Sequence, residues 1–74
     1  MHEVPIAGGM IRLGQLLKLA GAVDLGADVR PLLATGEVTV NGEIETRRGR
    51  QLHPGDVITL ESISVRITAV EPAE

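Results

Sequence analysis

The sequence predicts an α+β fold, in which two short antiparallel helices pack on a small, mostly antiparallel sheet of four to five strands. Three observations lead to this prediction. An apolar stripe with helical spacing comes early in the chain, a second short helical segment ends at a glycine, and strand-like segments separated by turn residues fill the second half. At 74 residues the chain suffices for one small domain, which we expect to span residues 1–74, with a core motif at about 11–60 and a flexible tail at 71–74.

The first predicted helix covers residues 11–20. Apolar residues recur there at spacings of three and four, which places them on one face, and Gly21 provides a natural helix stop. Arg12, Gln15 and Lys18 lie off the apolar stripe and follow one another at intervals of three. We therefore expect these three side chains to be neighbours on the exposed side of the helix.

A second, shorter helix is predicted to begin at Ala27 or Asp28 and to end at Thr35. Asp28 is a suitable N-cap, because its carboxylate can accept a hydrogen bond from a free amide of the first turn. Pro31 then falls in the first turn, where its missing N–H costs little. Arg30 is the only basic residue on this helix, and we expect it to be exposed beside the first helix.

Alternating apolar and polar residues predict the strands. Asn41-Gly42 indicates a tight hairpin, since both residues accept the positive φ angles of a type I′ turn. Pro54-Gly55-Asp56 predicts a second turn, and a third is expected near residues 61–62. The predicted strands are an edge strand at 4–6, the hairpin strands at 38–40 and 43–46, and two final strands at 57–60 and 64–70.

Positive charge is concentrated directly after the hairpin. Residues 46–53 include Arg47, Arg48 and Arg50 and no acid, so this segment carries +3 while the remaining residues sum to −6. The hairpin is expected to act as a rigid arm that presents the three guanidinium groups at one place. Two alternatives remain open: a solvated loop, or ion pairs between these arginines and Glu43 or Glu45, with at least one of the adjacent arginines pointing away.

Composition excludes several classes of function. Without cysteine there is no disulfide framework, zinc knuckle or thiol nucleophile, and without aromatic residues there is no platform for stacking bases. No apolar run reaches membrane-spanning length and the first residues do not form a signal peptide, so we expect a cytoplasmic protein.

Nothing in the sequence indicates catalysis. His2 is expected in a disordered terminus, and His53 precedes a Pro-Gly turn. Glu43 and Glu45 alternate along one strand and are expected to project into solvent. We therefore predict that the protein is not an enzyme and has no cofactor, metal site or small-molecule substrate.

The segments RLGQLLKLAG, LLATGEVTVNGE and HPGDVITL, with the basic run between the last two, resemble the S4-type RNA-binding domain, also called the αL motif. The resemblance covers roughly residues 11–60, and the ETRRGR run is similar to that of small stand-alone bacterial proteins of the YbcJ type. The matching positions are Arg12-Leu13, Gly36, residues 38–42 and Gly55-Asp56.

The resemblance implies a non-catalytic module that binds structured RNA, either ribosomal or transfer RNA, or a ribonucleoprotein, through backbone phosphates. Many family members have a basic residue at the start of the second helix, where this chain has residues 25–27 without a base, and a first-helix lysine where it has Gln15. The remaining basic residues are expected to carry more of the binding. The candidate RNA-binding residues are Arg12, Gln15, Lys18, Arg30, Arg47, Arg48, Arg50 and His53, with Gln15 and His53 as lesser contacts. The alternative is a module that binds an acidic protein surface; in either case we expect a monomer.

Overall fold

The computed structural model describes residues 1–61 and 63–70, which form a five-stranded sheet, a two-stranded ribbon and two short helices. The predicted α+β class is confirmed. In the main sheet the strand order is β1-β7-β6-β3-β4, and only the β1–β7 pair is parallel. The elements are β1 (His2–Ile6), β2 (Ile11–Arg12), α1 (Leu13–Leu19), α2 (Arg30–Ala34), β3 (Val38–Val40), β4 (Glu43–Ile44), β5 (Gln51–Leu52), β6 (Val57–Leu60) and β7 (Ile63–Ala69).

The predicted edge strand is confirmed and is longer than expected. β1 runs parallel to β7, from His2 opposite Val65 to Ile6 opposite Ala69. Pro5 is tolerated because β1 lies at the edge of the sheet. The expectation that His2 is disordered was wrong, because a strand distant in sequence supplies the partner that orders it.

Helix α1 begins two residues later than predicted. Ile11 and Arg12 are extended and pair with Leu52 and Gln51 of β5 in the two-stranded ribbon. Ile11 is buried in this conformation, so the apolar stripe alone could not distinguish a strand residue from a helical one. The helix ends as predicted before Gly21, whose φ angle is +78°.

Helix α2 is shorter than the predicted span of 27–35. The N-cap position is Val29 rather than Asp28. The Asp28 carboxylate nevertheless accepts a hydrogen bond from the Arg30 amide at 2.9 Å, so it satisfies a free amide from one position further out. Pro31 lies in the first turn, as expected.

The hairpin turn forms as predicted, with positive φ angles of 52° at Asn41 and 86° at Gly42. Its return strand is shorter than the predicted 43–46 and ends at Ile44, although the Glu45 amide still donates to the Val38 carbonyl of β3 at 3.0 Å. The turn before β6 is also confirmed, with a φ of 98° at Gly55. The third predicted turn begins at Glu61, whose φ is 52°, while Ser62 and the predicted tail at 71–74 lie outside the described residues.

Within residues 1–61 and 63–70, thirteen buried apolar side chains form one core between the helices and the sheet. No helix in the described part of the chain is both long and apolar enough to cross a membrane. The core positions the start of α1 against the loop that follows the hairpin. Its members are Ile6, Ile11, Leu13, Leu16, Leu17, Val29, Leu33, Val38, Val40, Leu52, Ile58, Val65 and Ile67.

Candidate nucleic-acid interface

Two grooves meet at the start of α1 and share Arg12 and Gly49. One groove of about 540 Å³, the helix groove, lies between α1, the segment before α2 and residues 46–50, which we call the basic loop. The other groove of about 630 Å³, the loop groove, lies between the basic loop and the turn before β6. Arg12, Gln15, Lys18, Arg30 and Arg48 line the helix groove, and Arg12, Arg47, Arg50 and His53 line the loop groove.

Main-chain hydrogen bonds fasten the basic loop to the first turn of α1. The Leu13 amide donates to the carbonyl of residue 50 and the Gly14 amide to that of residue 48, both at 2.9 Å. The Arg12 guanidinium donates to the carbonyl of residue 49 at 2.8 Å. These two amides of the first turn are therefore occupied by the basic loop and are not available to an anion in either groove.

Gly14 permits this close approach of helix and loop. A Cβ atom at this position would lie 3.3 Å from Cγ2 of Val29, 3.4 Å from Cβ of Arg48 and 3.5 Å from its carbonyl oxygen. A side chain here would make tight contacts with Val29 and Arg48, so these neighbours would have to move by a few tenths of an ångström. Glycine at this position thus favours close packing of α1 against the basic loop and does not serve an unusual backbone angle.

Glu45 is buried at the base of the basic loop, contrary to the expectation that it projects into solvent. Only 8% of its side chain is exposed. Its carboxylate accepts hydrogen bonds from the amides of Thr46 and Arg47, from Nε and Nη2 of Arg47, and from Nη1 of Arg50, at 2.9 to 3.1 Å. The strand ends at Ile44, so the alternation that predicted an exposed Glu45 does not extend to it.

These contacts strongly favour the ionised carboxylate. Side-chain hydrogen bonds from Arg47, and then from Arg50, hold the pKa of Glu45 far below its usual value, although burial opposes them. The same contact raises the pKa of Arg47. The alternative prediction that an arginine of the loop pairs with Glu45 is confirmed.

The three arginines of the loop do not share one location, so the prediction of a single guanidinium cluster was wrong. Arg47 and Arg50 both bond to Oε1 of Glu45 and line the loop groove. Arg48 lines the helix groove, and its guanidinium has no hydrogen-bond or ion-pair partner within residues 1–61 and 63–70. As the alternation argument anticipated, adjacent arginines point to different sides.

In the helix groove, Arg30 is already paired. Its guanidinium forms a two-pronged ion pair with Asp28, with an Nη2 to Oδ2 distance of 2.6 Å, and these side-chain hydrogen bonds lower the pKa of Asp28 to about 2. Arg12, Lys18 and Arg48 have no carboxylate partner in the described part of the chain. The charged residues that line this groove sum to +3.

A side-chain hydrogen bond between Asn41 and Asp56 joins the hairpin turn to the turn before β6. From the sequence, both residues were expected only to form turns. Asn41 Nδ2 donates to Asp56 Oδ1 at 3.1 Å, and the Val57 amide donates to Asn41 Oδ1 at 2.9 Å. The His53 amide donates to Asp56 Oδ2 at 2.8 Å. Burial opposes ionisation of Asp56, yet the hydrogen bonds prevail and lower its pKa. The connection fixes His53 at the rim of the loop groove.

Gln15 lies between the helix groove and an apolar groove that also contacts Lys18. Its Oε1 accepts a long hydrogen bond of 3.4 Å from the Arg12 amide. Across the described residues, no group of three His, Asp or Glu side chains is arranged to hold a metal ion. The two grooves therefore offer cationic and amide donors suited to an anionic ligand.

Comparisons with known proteins agree on one family. The family model described as S4 domain matches residues 4–68. A Bacillus subtilis (strain 168) protein named Probable ribosome maturation protein RlbA is 48% identical over 60 residues, which covers 81% of this chain and 84% of that protein. YbcJ of Escherichia coli (strain K12) is 34% identical over 59 residues, covering 80% and 84%.

A solved structure supports the same relationship. The solution structure of YbcJ from E. coli, which contains an αL motif involved in RNA binding, matches with a TM-score of 0.62 and 29% sequence identity. The match covers 92% of this chain and 85% of that chain. The similarity of fold thus extends over most of the chain.

Proposed function

The chain belongs to the S4 domain family, and from this we propose that it is a non-catalytic protein that binds structured RNA through backbone phosphates. A relative named for ribosome maturation favours ribosomal RNA or a ribosomal ribonucleoprotein as the partner over transfer RNA. Such a partner implies a cytoplasmic location, and we propose that the chain acts as a monomer.

The meeting of the two grooves at Arg12 is the observation that carries this proposal. Side chains from α1, α2 and the basic loop, which are far apart in sequence, line one continuous cationic surface. The helix groove is the main site for binding the phosphates of the RNA backbone, because its net charge is +3 and three of its cations have no carboxylate partner among the described residues. The loop groove is a secondary contact, since Glu45 already neutralises part of its charge.

The chemistry of these side chains favours phosphate over bases. An arginine fork can donate two hydrogen bonds to one phosphate, and each phosphate contact releases counterions, so affinity falls with salt. The chain has no aromatic residue on which a base could stack. Recognition is therefore directed at the backbone of an RNA helix or junction, where shape and phosphate position identify the site.

Binding measured across a salt series tests this proposal. Purified ribosomal subunits, bulk transfer RNA and a random-sequence RNA duplex serve as ligands for the wild type and for Lys18→Gln/Arg48→Gln. Arg66→Gln controls for the loss of a positive charge elsewhere on the surface, because Arg66 is exposed on β7 and lies outside both grooves. We expect the double variant to bind more weakly with a flatter salt dependence, and the control to bind as the wild type does.

Two results would overturn the proposal. One is the absence of binding to every RNA ligand at low salt by a folded wild-type protein. The other is association with ribosomal particles that survives complete nuclease digestion, which indicates an acidic protein partner instead. Preferential binding to ribosomal subunits over transfer RNA supports the ribosomal assignment, and the reverse preference refutes it.

A further inference from the structure

A buried carboxylate lies directly behind the proposed RNA-binding surface, in contact with Arg47 and Arg50. Simple electrostatics predicts that Glu45 weakens phosphate binding, because it adds negative charge beside the loop groove. The side chain is nonetheless buried and accepts five hydrogen bonds from the basic loop. Its neighbour Glu43 is exposed, forms no such contacts and is a natural comparison.

The contacts of Glu45 orient two arginines in a defined way. Arg47 uses Nε and Nη2 for the carboxylate, which leaves Nη1 free, and Arg50 uses only Nη1. Both guanidinium groups meet at Oε1, so they lie side by side. Arg47 remains 74% exposed and Arg50 36% exposed, so both still present donors to the groove. One carboxylate compensates only one of these two positive charges, and the second remains available to an anion.

The rest of the loop groove is consistent with a single bound anion. Arg12 also lines this groove, held by the carbonyl of residue 49. His53 lines it too, and the carboxylate of Asp56 in the same groove is engaged by the His53 amide and by Asn41. The groove thus receives guanidinium groups from the ribbon strand β2 and from the basic loop.

We propose that Glu45 is a positioning residue for RNA, which holds Arg47 and Arg50 as a fixed pair that clamps one backbone phosphate in the loop groove. This inference rests on the proposed function. The consequence is opposite to the simple electrostatic expectation. Removing the negative charge of Glu45 weakens RNA binding, because the loss of the fixed orientation of Arg47 and Arg50 outweighs the gain in net positive charge.

The direction in which Glu45→Gln changes the affinity for RNA tests the inference. Glu45→Gln and Glu43→Gln make the same change in net charge, and both are compared with the wild type for binding to a random-sequence RNA duplex and to ribosomal subunits. We expect Glu45→Gln to lower affinity about tenfold, the value of one charge-assisted hydrogen bond. Glu43→Gln is expected to bind as the wild type does or slightly more tightly. Equal or tighter binding by Glu45→Gln overturns the inference.

A thermodynamic cycle separates positioning from folding. In the Arg47→Gln/Arg50→Gln background, Glu45→Gln is expected to cause no further loss of affinity, because its effect acts through the two arginines. A further loss of about tenfold there refutes the inference. If Glu45→Gln does not fold, Arg47→Lys/Arg50→Lys preserves the charge but removes the fork geometry. The inference requires weaker binding by this variant, and unchanged affinity refutes it.

A titration with inorganic phosphate examines the clamp directly by NMR. In the wild type we expect the Nε–H signals of Arg47 and Arg50 to shift together on addition of phosphate, and in Glu45→Gln to shift less. Unshifted signals in the wild type overturn the clamp. Failure of the proposed function is distinguishable from failure of this inference, because only the former abolishes RNA binding by the wild type.

Discussion

Arg48→Gln is the most informative single change in the helix groove. Its guanidinium is exposed and has no partner within residues 1–61 and 63–70, so its removal alters the surface charge without breaking a contact seen in the fold. The main-chain carbonyl of residue 48, which accepts the Gly14 amide, is retained in the variant. The fold is therefore expected to persist, and a loss of binding reports on the ligand.

The magnitude follows from the charges that line the grooves. The helix groove contributes +3. In the loop groove, the charges of Arg47 and Arg50 are balanced by those of Glu45 and Asp56, so we count about three phosphate contacts. Each contact adds about 0.7 to 0.9 to the slope of log affinity against log salt. From about 50 to about 200 mM salt, the wild type should lose roughly thirtyfold in affinity and Arg48→Gln roughly tenfold.

Fluorescence anisotropy with a labelled RNA duplex measures both slopes. Arg66→Gln makes an identical charge change on β7, outside the grooves. A slope for Arg48→Gln equal to that of the wild type would refute the reasoning. An equal decrease for Arg66→Gln would also refute it, because the effect would then depend on net charge rather than on the groove.

Three further predictions concern the frame that supports the interface. Gly14→Val should lower the free energy of unfolding by about 2 kcal/mol by overpacking and so lower the melting temperature. Gly26→Val, where a Cβ meets nothing within 4 Å, should change the melting temperature little, and equal shifts in the two variants would contradict this prediction. Asn41→Gly keeps the positive φ but loses both side-chain hydrogen bonds, so chemical denaturation should show a loss of about 1 to 2 kcal/mol, and an unchanged midpoint would argue against the link between the turns. Hydrogen bonds lower the folded-state pKa values of Glu45 and Asp28, so the stability that these carboxylates add is present above their unfolded-state pKa values and is lost as the pH falls. From about pH 5 to about pH 3, the unfolding free energy of Glu45→Gln should therefore fall less steeply than that of the wild type, and parallel curves would contradict the assignment.

Local turn chemistry made the positions of several strands along the chain predictable. Asn41-Gly42 and Gly55 adopt the positive φ angles for which their residue types are suited, and the strands beside them begin within a residue or two of the predicted positions. Such signals depend only on neighbours in sequence. Arg30 was expected beside the first helix, and it lines the helix groove together with Lys18 of that helix.

Contacts between distant segments could not be predicted in the same way. Arg12 is extended because β5 pairs with it, and nothing in residues 11–20 encodes that partner. Glu45 is buried because the basic loop folds back over it, a consequence of where β4 ends. The division of the loop arginines between two grooves follows from that fold. The sequence offered a pair with Glu45 only as one alternative and did not predict which arginine lines which groove.

The parallel pairing of β1 with β7 bears on the order in which the molecule assembles. Every cation that lines the two grooves lies between Arg12 and His53, inside the long loop that this pairing closes. Closing a long loop costs chain entropy, and contacts distant in sequence slow folding. We therefore expect β1 to dock late, onto a helix–hairpin unit in which the grooves already exist. Local opening of this edge strand would then expose the sheet while leaving the ligand-binding surface intact.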